Sequence, residues 1–206
     1  METEKICTMR ETTDSHVICF TKGQLIYLKV KRGLDILCSL TGGIFLIPVF
    51  AAAAIAIKVE DPAGKVIYQQ KRIGRSGRPF KVYKFRTMRA DTPELSTREF
   101  SNAGSYVTRV GRFMRGTSID ELPQLINVLK GNMSLVGPRP LMPRERDVHA
   151  KRFFYGLYQV RPGITGMAQT HGRDNMDDDM KVAWDRKYVE SISFMTDLKL
   201  LFIRLV

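Results

Sequence analysis

Between Asp35 and Lys58 the chain carries no charge at all. The uncharged run, Ile36 to Ile57, is about 22 residues long, enough to cross a bilayer. No feature restricts the fold more. The run has no polar face, which argues against an ordinary core helix. Lys29, Lys31 and Arg32 precede it; Lys58, Lys65, Lys71, Arg72, Arg75 and Arg78 follow, with only Glu60 and Asp61 opposing. Short basic flanks stay on the cytoplasmic side. A single span would have to export one of them, whereas a segment that enters and returns satisfies both. Returning needs a break. Pro48 lacks an N–H and clashes with the carbonyl four residues back, at Ile44. Gly42 and Gly43 soften the preceding turn. A kinked through-span is the alternative, because membrane helices tolerate proline and glycine. A cleaved signal peptide is disfavoured: more than thirty residues precede the run, and cleavage would export a strongly basic domain. Asp35, one turn from Lys31 and Arg32, is expected near the headgroups in a local ion pair.

The 206 residues suit one domain plus an attached segment. The net charge of +12 points to anionic partners: nucleic acid, phosphorylated metabolites or acidic headgroups. Cys7, Cys19 and Cys38 show neither metal nor disulfide spacing, which suggests a reducing compartment or plain apolar packing. Residues 1 to 21 are mixed in charge and weakly patterned.

Beyond Ile57, residues 65 to 71 and 80 to 85 have strand propensity, and Gly74 to Gly77 supply the turn of a hairpin. Residues 91 to 104 are polar and unpatterned, a loop. Residues 107 to 115 fit a short basic helix. "SIDELPQLINVLKG" reads as one helix from about Asp120 to Lys130, closed by Gly131. Ser118 with Glu121 makes a capping-box pattern, while Pro123 favours Asp120 as the N-cap. On either reading two carboxylates sit at the helix's positive end, which would favour their ionised forms. Capping alone explains an isolated Asp-Glu pair. Here Arg115 lies five residues upstream, and "GPRP" follows a short apolar strand at 133 to 136. Gly137 and Arg139 each precede a proline, so Arg139 rides on a stiff backbone suited to an oxyanion.

"RPGITGMAQTHGR", Arg161 to Arg173, is turn-rich. Its Gly166 and Gly172 would let backbone approach a ligand. It contains no standard P-loop or dinucleotide motif, and an ordinary connection is the alternative. His16, His149 and His171 lack metal spacing. Asp177 to Asp179 resembles a hard-cation site but fits a helix N-terminus better. Phe194, Leu198, Leu201 and Leu205 form a helical stripe, suited to a membrane surface or to the core.

Taken in order, "KRGLDI", the proline-broken apolar run, "FKVYKFRTM", "SIDELPQLINVLKGNMSLVGPRP", "RPGITGMAQ" and "SFMTDLKLL" resemble the bacterial sugar transferases, the monotopic phosphoglycosyl transferases. The resemblance covers about residues 28 to 206. It implies a mixed, helix-rich α/β fold: an N-terminal extension (1–28), a re-entrant membrane helix-break-helix hairpin (29–58), and a small cytoplasmic catalytic domain (59–206) with a β-hairpin and amphipathic surface helices. It also implies transfer of a sugar 1-phosphate from a UDP-sugar to polyprenyl phosphate at the cytoplasmic face of the bacterial inner membrane, with release of UMP. Asp120 would be the nucleophile and Glu121 a Mg²⁺ ligand. Lys84, Arg115 and Arg139 would line the phosphate site. Arg161, Gly163, Thr165, Gln169 and Arg173 would shape the nucleotide-sugar pocket. Lys31, Arg32 and Asp35 would form the headgroup-level cluster beneath the break at Pro48. A homodimer is compatible with the resemblance. Two positions depart from it: Ile47 stands where many members have serine, and Asp178 where some have an aromatic.

A carboxylate attacking a diphosphate must overcome like-charge repulsion, and the surrounding cations serve that need. A rival enzyme reading has Asp120 and Glu121 both serving the metal in direct transfer. A non-enzymatic module binding anionic lipid or RNA would explain the charge, but not two carboxylates among arginines. No aromatic platform for RNA is evident, so nucleic acid is not an expected partner.

Overall fold

Thr21 opens the first long helix. Its side chain accepts from the Gln24 N–H at 3.2 Å, and the Gln24 side chain accepts from the Thr21 N–H at 2.9 Å, a reciprocal cap. The computed structural model describes residues 5–6, 18–92, 103–172 and 176–205. Helix α1 spans Lys22–Phe45 and α2 Ile47–Glu60. Helix α1 thus begins seven residues ahead of the hairpin boundary expected at 29, and Ile18 and Phe20, just before it, are buried in the main core. The expected loop at 91 to 104 falls largely outside the described residues.

The two helices meet at Leu46 with a bend of 60°. The Leu46 N–H still donates to Gly42 O at 2.9 Å, and Phe50 N–H to Leu46 O at 2.9 Å. Pro48 therefore does not distort a continuous helix at Ile44, as the sequence suggested. It occupies the first turn of α2, where a missing N–H costs nothing. Among the described residues no single helix is long and apolar enough to cross a membrane, but the bent pair passes that test together.

Both free ends of the pair are fastened to the same body. At the α1 end, the Lys31 ammonium lies 2.5 Å from Asp197, and the Asp35 carboxylate accepts from the Leu135 N–H at 3.0 Å. Arg32 donates to Val128 O and Leu129 O at 2.8 and 3.3 Å. Lys31 and Asp35 are only 7% and 4% exposed. Their own separation is 3.9 Å. The expected local ion pair is thus present, but within a buried joint whose closer partners are distant in sequence. At the α2 end, Ala53 and Ile57 pack with Phe85 and Met114. Glu60 accepts two N–H groups, from Arg109 and Val110 at 2.7 and 2.9 Å. Asp61 pairs with Arg86 at 2.5 Å.

Three small sheets complete the fold. Strands β1 (Lys5–Ile6) and β2 (Phe20–Thr21) pair antiparallel. Strands β3 (Ile67–Ile73) and β4 (Pro79–Phe85) form the expected hairpin, with Tyr68 opposite Lys84 and Arg72 opposite Phe80. Its turn holds Ser76 and Gly77 at positive φ, 57° and 72°. A Cβ on Gly77 would strike Phe153, so the turn is braced from behind. Helix α3 (Arg109–Thr117) follows, then α4 (Gln124–Leu129). Strand β5 (Ser134–Val136) pairs in parallel with β6 (Gly163–Thr165). Between them lies α5 (Arg146–Phe154); after β6 come α6 (Met167–His171), α7 (Asp178–Glu190) and α8 (Phe194–Leu205). The core gathers Val136, Leu141, Val148, Leu157, Val189 and Leu200 around Tyr188.

Helix α7 opens as expected: Asp177 accepts from the Met180 N–H, so its acidic run caps a helix. Helix α8 is part core and part surface. Asp197 and Leu200 are buried, whereas Phe194, Met195, Phe202 and Ile203 are exposed. Cys19 is disulfide-bonded, which its spacing did not announce, and Cys38 is free.

Candidate active site

Asp120 and Glu121 do not begin a helix. They lie in a separate 3-10 turn, Ile119–Glu121, and α4 starts three residues later with Pro123 just ahead of it. Ser118 adopts a left-handed conformation and makes no side-chain cap, so both sequence proposals for the cap are corrected. The cause is local. Pro123 suits a first turn, and Ser118 at φ 59° breaks the chain direction between α3 and the carboxylates. A helix dipole along Asp120 therefore does not explain its ionisation.

The surrounding cations do more. Glu121 is 8% exposed. Its Oε1 lies 2.9 Å from Lys84 Nζ and 3.5 Å from an Arg139 guanidinium nitrogen. Lys84 arrives from β4. Arg139 arrives from the "GPRP" segment after β5. Arg115, on α3, is oriented by its Nε donating to Thr87 Oγ1 at 2.9 Å. Burial pushes the Asp120 carboxyl above the usual range; Lys84 and Arg115 oppose this, and the Glu121 charge adds to it. Burial also lowers the Lys84 pKa, against the pull of Glu121. The structure thus brings Asp120, Glu121, Lys84, Arg115 and Arg139 together, as the resemblance implied.

Residues that the sequence did not single out hold these groups in place. Arg152 on α5 donates to the Arg139 carbonyl at 2.8 Å and forms a buried ion pair with Asp185 on α7. Arg72 donates to the Pro140 carbonyl at 3.2 Å. The backbone on either side of Arg139's peptide link is therefore pinned twice from below. Asn127 ties α4 to β4: its side chain accepts from Tyr83 N–H at 2.9 Å and donates to Lys81 O at 2.7 Å. No sequence signal reveals such pairs, because each joins segments with no shared motif.

The "RPGITG" segment is placed differently at its two ends. Gly163 and Gly166 serve backbone packing rather than ligand approach: a Cβ on Gly163 would meet Gly137 N at 2.1 Å, and one on Gly166 would meet Gly137 O at 2.2 Å. Thr165 O accepts from Gly137 N–H at 2.9 Å, two residues from Arg139. Thr165 Oγ1 and Gln169 Oε1 are buried without a hydrogen-bond partner, an arrangement that calls for one. Arg161, at the other end, lies beside Gly131 and is not brought to the carboxylates. Arg173 lies outside the described residues.

His149 is structural, bonded to Tyr158 Oη and to Met142 O at 2.8 Å. Among the described residues no group of three His, Cys, Asp or Glu could form an all-protein metal cage. Two adjacent carboxylates nonetheless fit Mg²⁺, which takes one or two carboxylates with substrate phosphates and water.

This layout, a carboxylate pair ringed by cations, suits an enzyme that handles phosphate groups. Comparison with known proteins makes it specific. Residues 26–206 match the family described as bacterial sugar transferase, and the chain belongs to that family of enzymes. A UDP-glucose:undecaprenyl-phosphate glucose-1-phosphate transferase of Caulobacter vibrioides is 40% identical over 82% of this chain and 66% of its own length. A UDP-N-acetylgalactosamine-undecaprenyl-phosphate N-acetylgalactosaminephosphotransferase of Aeromonas hydrophila is 39% identical over 86% of this chain and 43% of its own. An uncharacterized sugar transferase of Bacillus subtilis is 41% identical, covering 84% and 83%. The chain thus spans less than two thirds of the first two relatives.

Proposed function

We propose that this protein transfers a sugar 1-phosphate from a UDP-sugar to polyprenyl phosphate at the cytoplasmic face of the bacterial inner membrane. The observation that carries the reading is the Asp120 carboxylate, half-buried among Lys84, Arg115 and the Arg139-held Glu121. The names of the Caulobacter and Aeromonas relatives support the acceptor and the donor class.

An Asp120 oxygen attacks the sugar-side phosphorus of the UDP-sugar. The bond from that phosphorus to the bridging oxygen breaks, and UMP leaves with the electron pair. A phosphate oxygen of the polyprenyl acceptor then attacks the same phosphorus, and the Asp120 carboxylate is released. Lys84, Arg115 and Arg139 offset the repulsion between carboxylate and phosphoryl oxygens in both steps. Glu121, with Asp120 beside it, would hold Mg²⁺, which when bound supplies further neutralisation of the diphosphate. Thr165 and Gln169 offer hydrogen bonds to the donor next to Arg139.

The helix pair is read as re-entrant. Both of its ends are tied to one body, and α2, 14 residues long, spans only about 21 Å against a hydrocarbon core of about 30 Å. Such a monotopic anchor leaves Asp120 on the side where the acceptor presents its phosphate. Cysteine probes at residues 25 and 65, in a chain lacking its three native cysteines, should both resist labelling from outside intact cells. Labelling at 25 alone would mean a through-span.

The reaction is tested with purified protein, polyprenyl phosphate and a panel of UDP-sugars, following UMP release. Mass spectrometry with the productive UDP-sugar alone should find a phosphosugar on the Asp120 peptide. No UMP from any donor would sink the activity, and turnover without an adduct would favour direct transfer.

A further inference from the structure

Outside the carboxylate site lies a second gathering of arginines. A cleft of about 360 Å³ is lined by Arg75, Arg78 and Phe80 of the hairpin, by Gly131 and Asn132 after α4, and by Arg161. Its walls are fixed. Gly77 in the turn backs onto Phe153, and Gly74 N–H donates to Arg78 O at 2.8 Å. Arg161 Nε donates to Gly131 O at 3.0 Å. Counting along β4 at about 3.3 Å per residue, Phe80 and Arg78 stand roughly 13 to 20 Å from Lys84. The cleft is therefore not the carboxylate site.

Charge distinguishes the cleft further. Among the described residues, none of Arg75, Arg78 and Arg161 has a carboxylate within ion-pair distance. Burial lowers the Arg161 pKa, and the charges of Arg75 and Arg32 lower it further; Asp35 alone opposes them. Asp35 is already committed to the Leu135 N–H. Arginines gathered without a counter-charge repel one another, and an anion in their midst relieves that repulsion. Arginine forks match phosphate oxygens better than any other side chain does.

Position narrows the ligand. A Cβ on Gly131 would sit 3.5 Å from the Arg32 guanidinium, so the cleft adjoins α1. Arg32 lies four residues, about 6 Å along the axis, before the uncharged run begins at Ile36. We propose that this cleft is a phosphate-binding site, separate from the carboxylate site, that takes a phosphate group presented at the base of the helix pair. An anionic lipid headgroup and a soluble phosphorylated compound share that chemistry.

The test uses the full chain in a neutral detergent, titrated calorimetrically with dioctanoyl phosphatidylglycerol and, separately, with inorganic pyrophosphate. Arg75→Gln/Arg78→Gln changes only exposed turn side chains, so its thermal midpoint should stay put while affinity falls about tenfold or more. Arg161→Gln should lose affinity similarly, and Arg139→Gln should not. Lipid binding that pyrophosphate fails to displace identifies a headgroup site; displacement by pyrophosphate identifies a soluble-phosphate site. Unchanged affinity in the double variant, or loss of all binding in Arg139→Gln, overturns the proposal. None of these readouts requires turnover, so the outcome is independent of the activity assay.

Discussion

The two ends of α4 carry arginines in opposite circumstances. Ahead of its first turn, Arg139 and Lys84 are matched to Glu121, and Asp120 stands beside them. Beyond its last turn, Arg161 faces Arg75 and Arg32, with Asp35 as the only nearby acid among the described residues. The first arrangement is near balance and buried, which suits chemistry on a charged substrate that must also leave. The second is unbalanced and open, which suits retention of an anion. A count of positive charge cannot separate these uses; the presence or absence of a built-in carboxylate can.

The sharpest way to break the comparison is Asp120→Asn. It should reduce UMP release on the order of 10⁴-fold while leaving the lipid-phosphate affinity of the far cleft unchanged. A parallel loss of that affinity would mean the two ends form one site.

Arg152→Met tests how much of the first end depends on support from below. It strands Asp185, which is 1% exposed, and should cost about 3–5 kcal/mol in chemical denaturation. Arg152→Met/Asp185→Leu should recover most of that stability. If Arg152 positions Arg139, the double variant stays slow in UMP release with a raised KM. Full recovery of the rate would reduce Arg152 to a purely structural role.

The smallest effect is on pH. As the proposed nucleophile Asp120 would attack as the anion, and burial holds its pKa above the usual value. The acid limb of UMP release should therefore lie above the ordinary aspartate range near 3.9. Lys84 is the foremost charge lowering that pKa, so Lys84→Met should move the limb to higher pH, read from kcat against pH. A limb unmoved by that change would place the titrating group elsewhere.

Features set by neighbouring residues were legible. The Gly74 to Gly77 turn, the break near Pro48 and the cap at Asp177 each follow from a few adjacent side chains. The helix expected from Asp120 was misread because the pattern of Ser118, Glu121 and Pro123 fits a capping box and a 3-10 turn equally well. The backbone settles it at Ser118, whose positive φ no local rule demands. Least legible were Lys31 and Asp35. Next to an apolar run they look like headgroup ligands. Besides each other, they hold Asp197 and Leu135, 166 and 100 residues away, beyond any periodicity.

That separation has a consequence for how the protein is made. Lys31 leaves the ribosome 166 residues before Asp197. At about 5–20 residues per second the interval is roughly ten to thirty seconds. Through most of it the apolar run is already made, while Lys31 has Asp35 within reach but not the carboxylate that will hold it most closely. The joint between α1 and α8 therefore closes only after the helix pair has been synthesised. Assembly of this fold therefore ends with a contact between its first long helix and its last one.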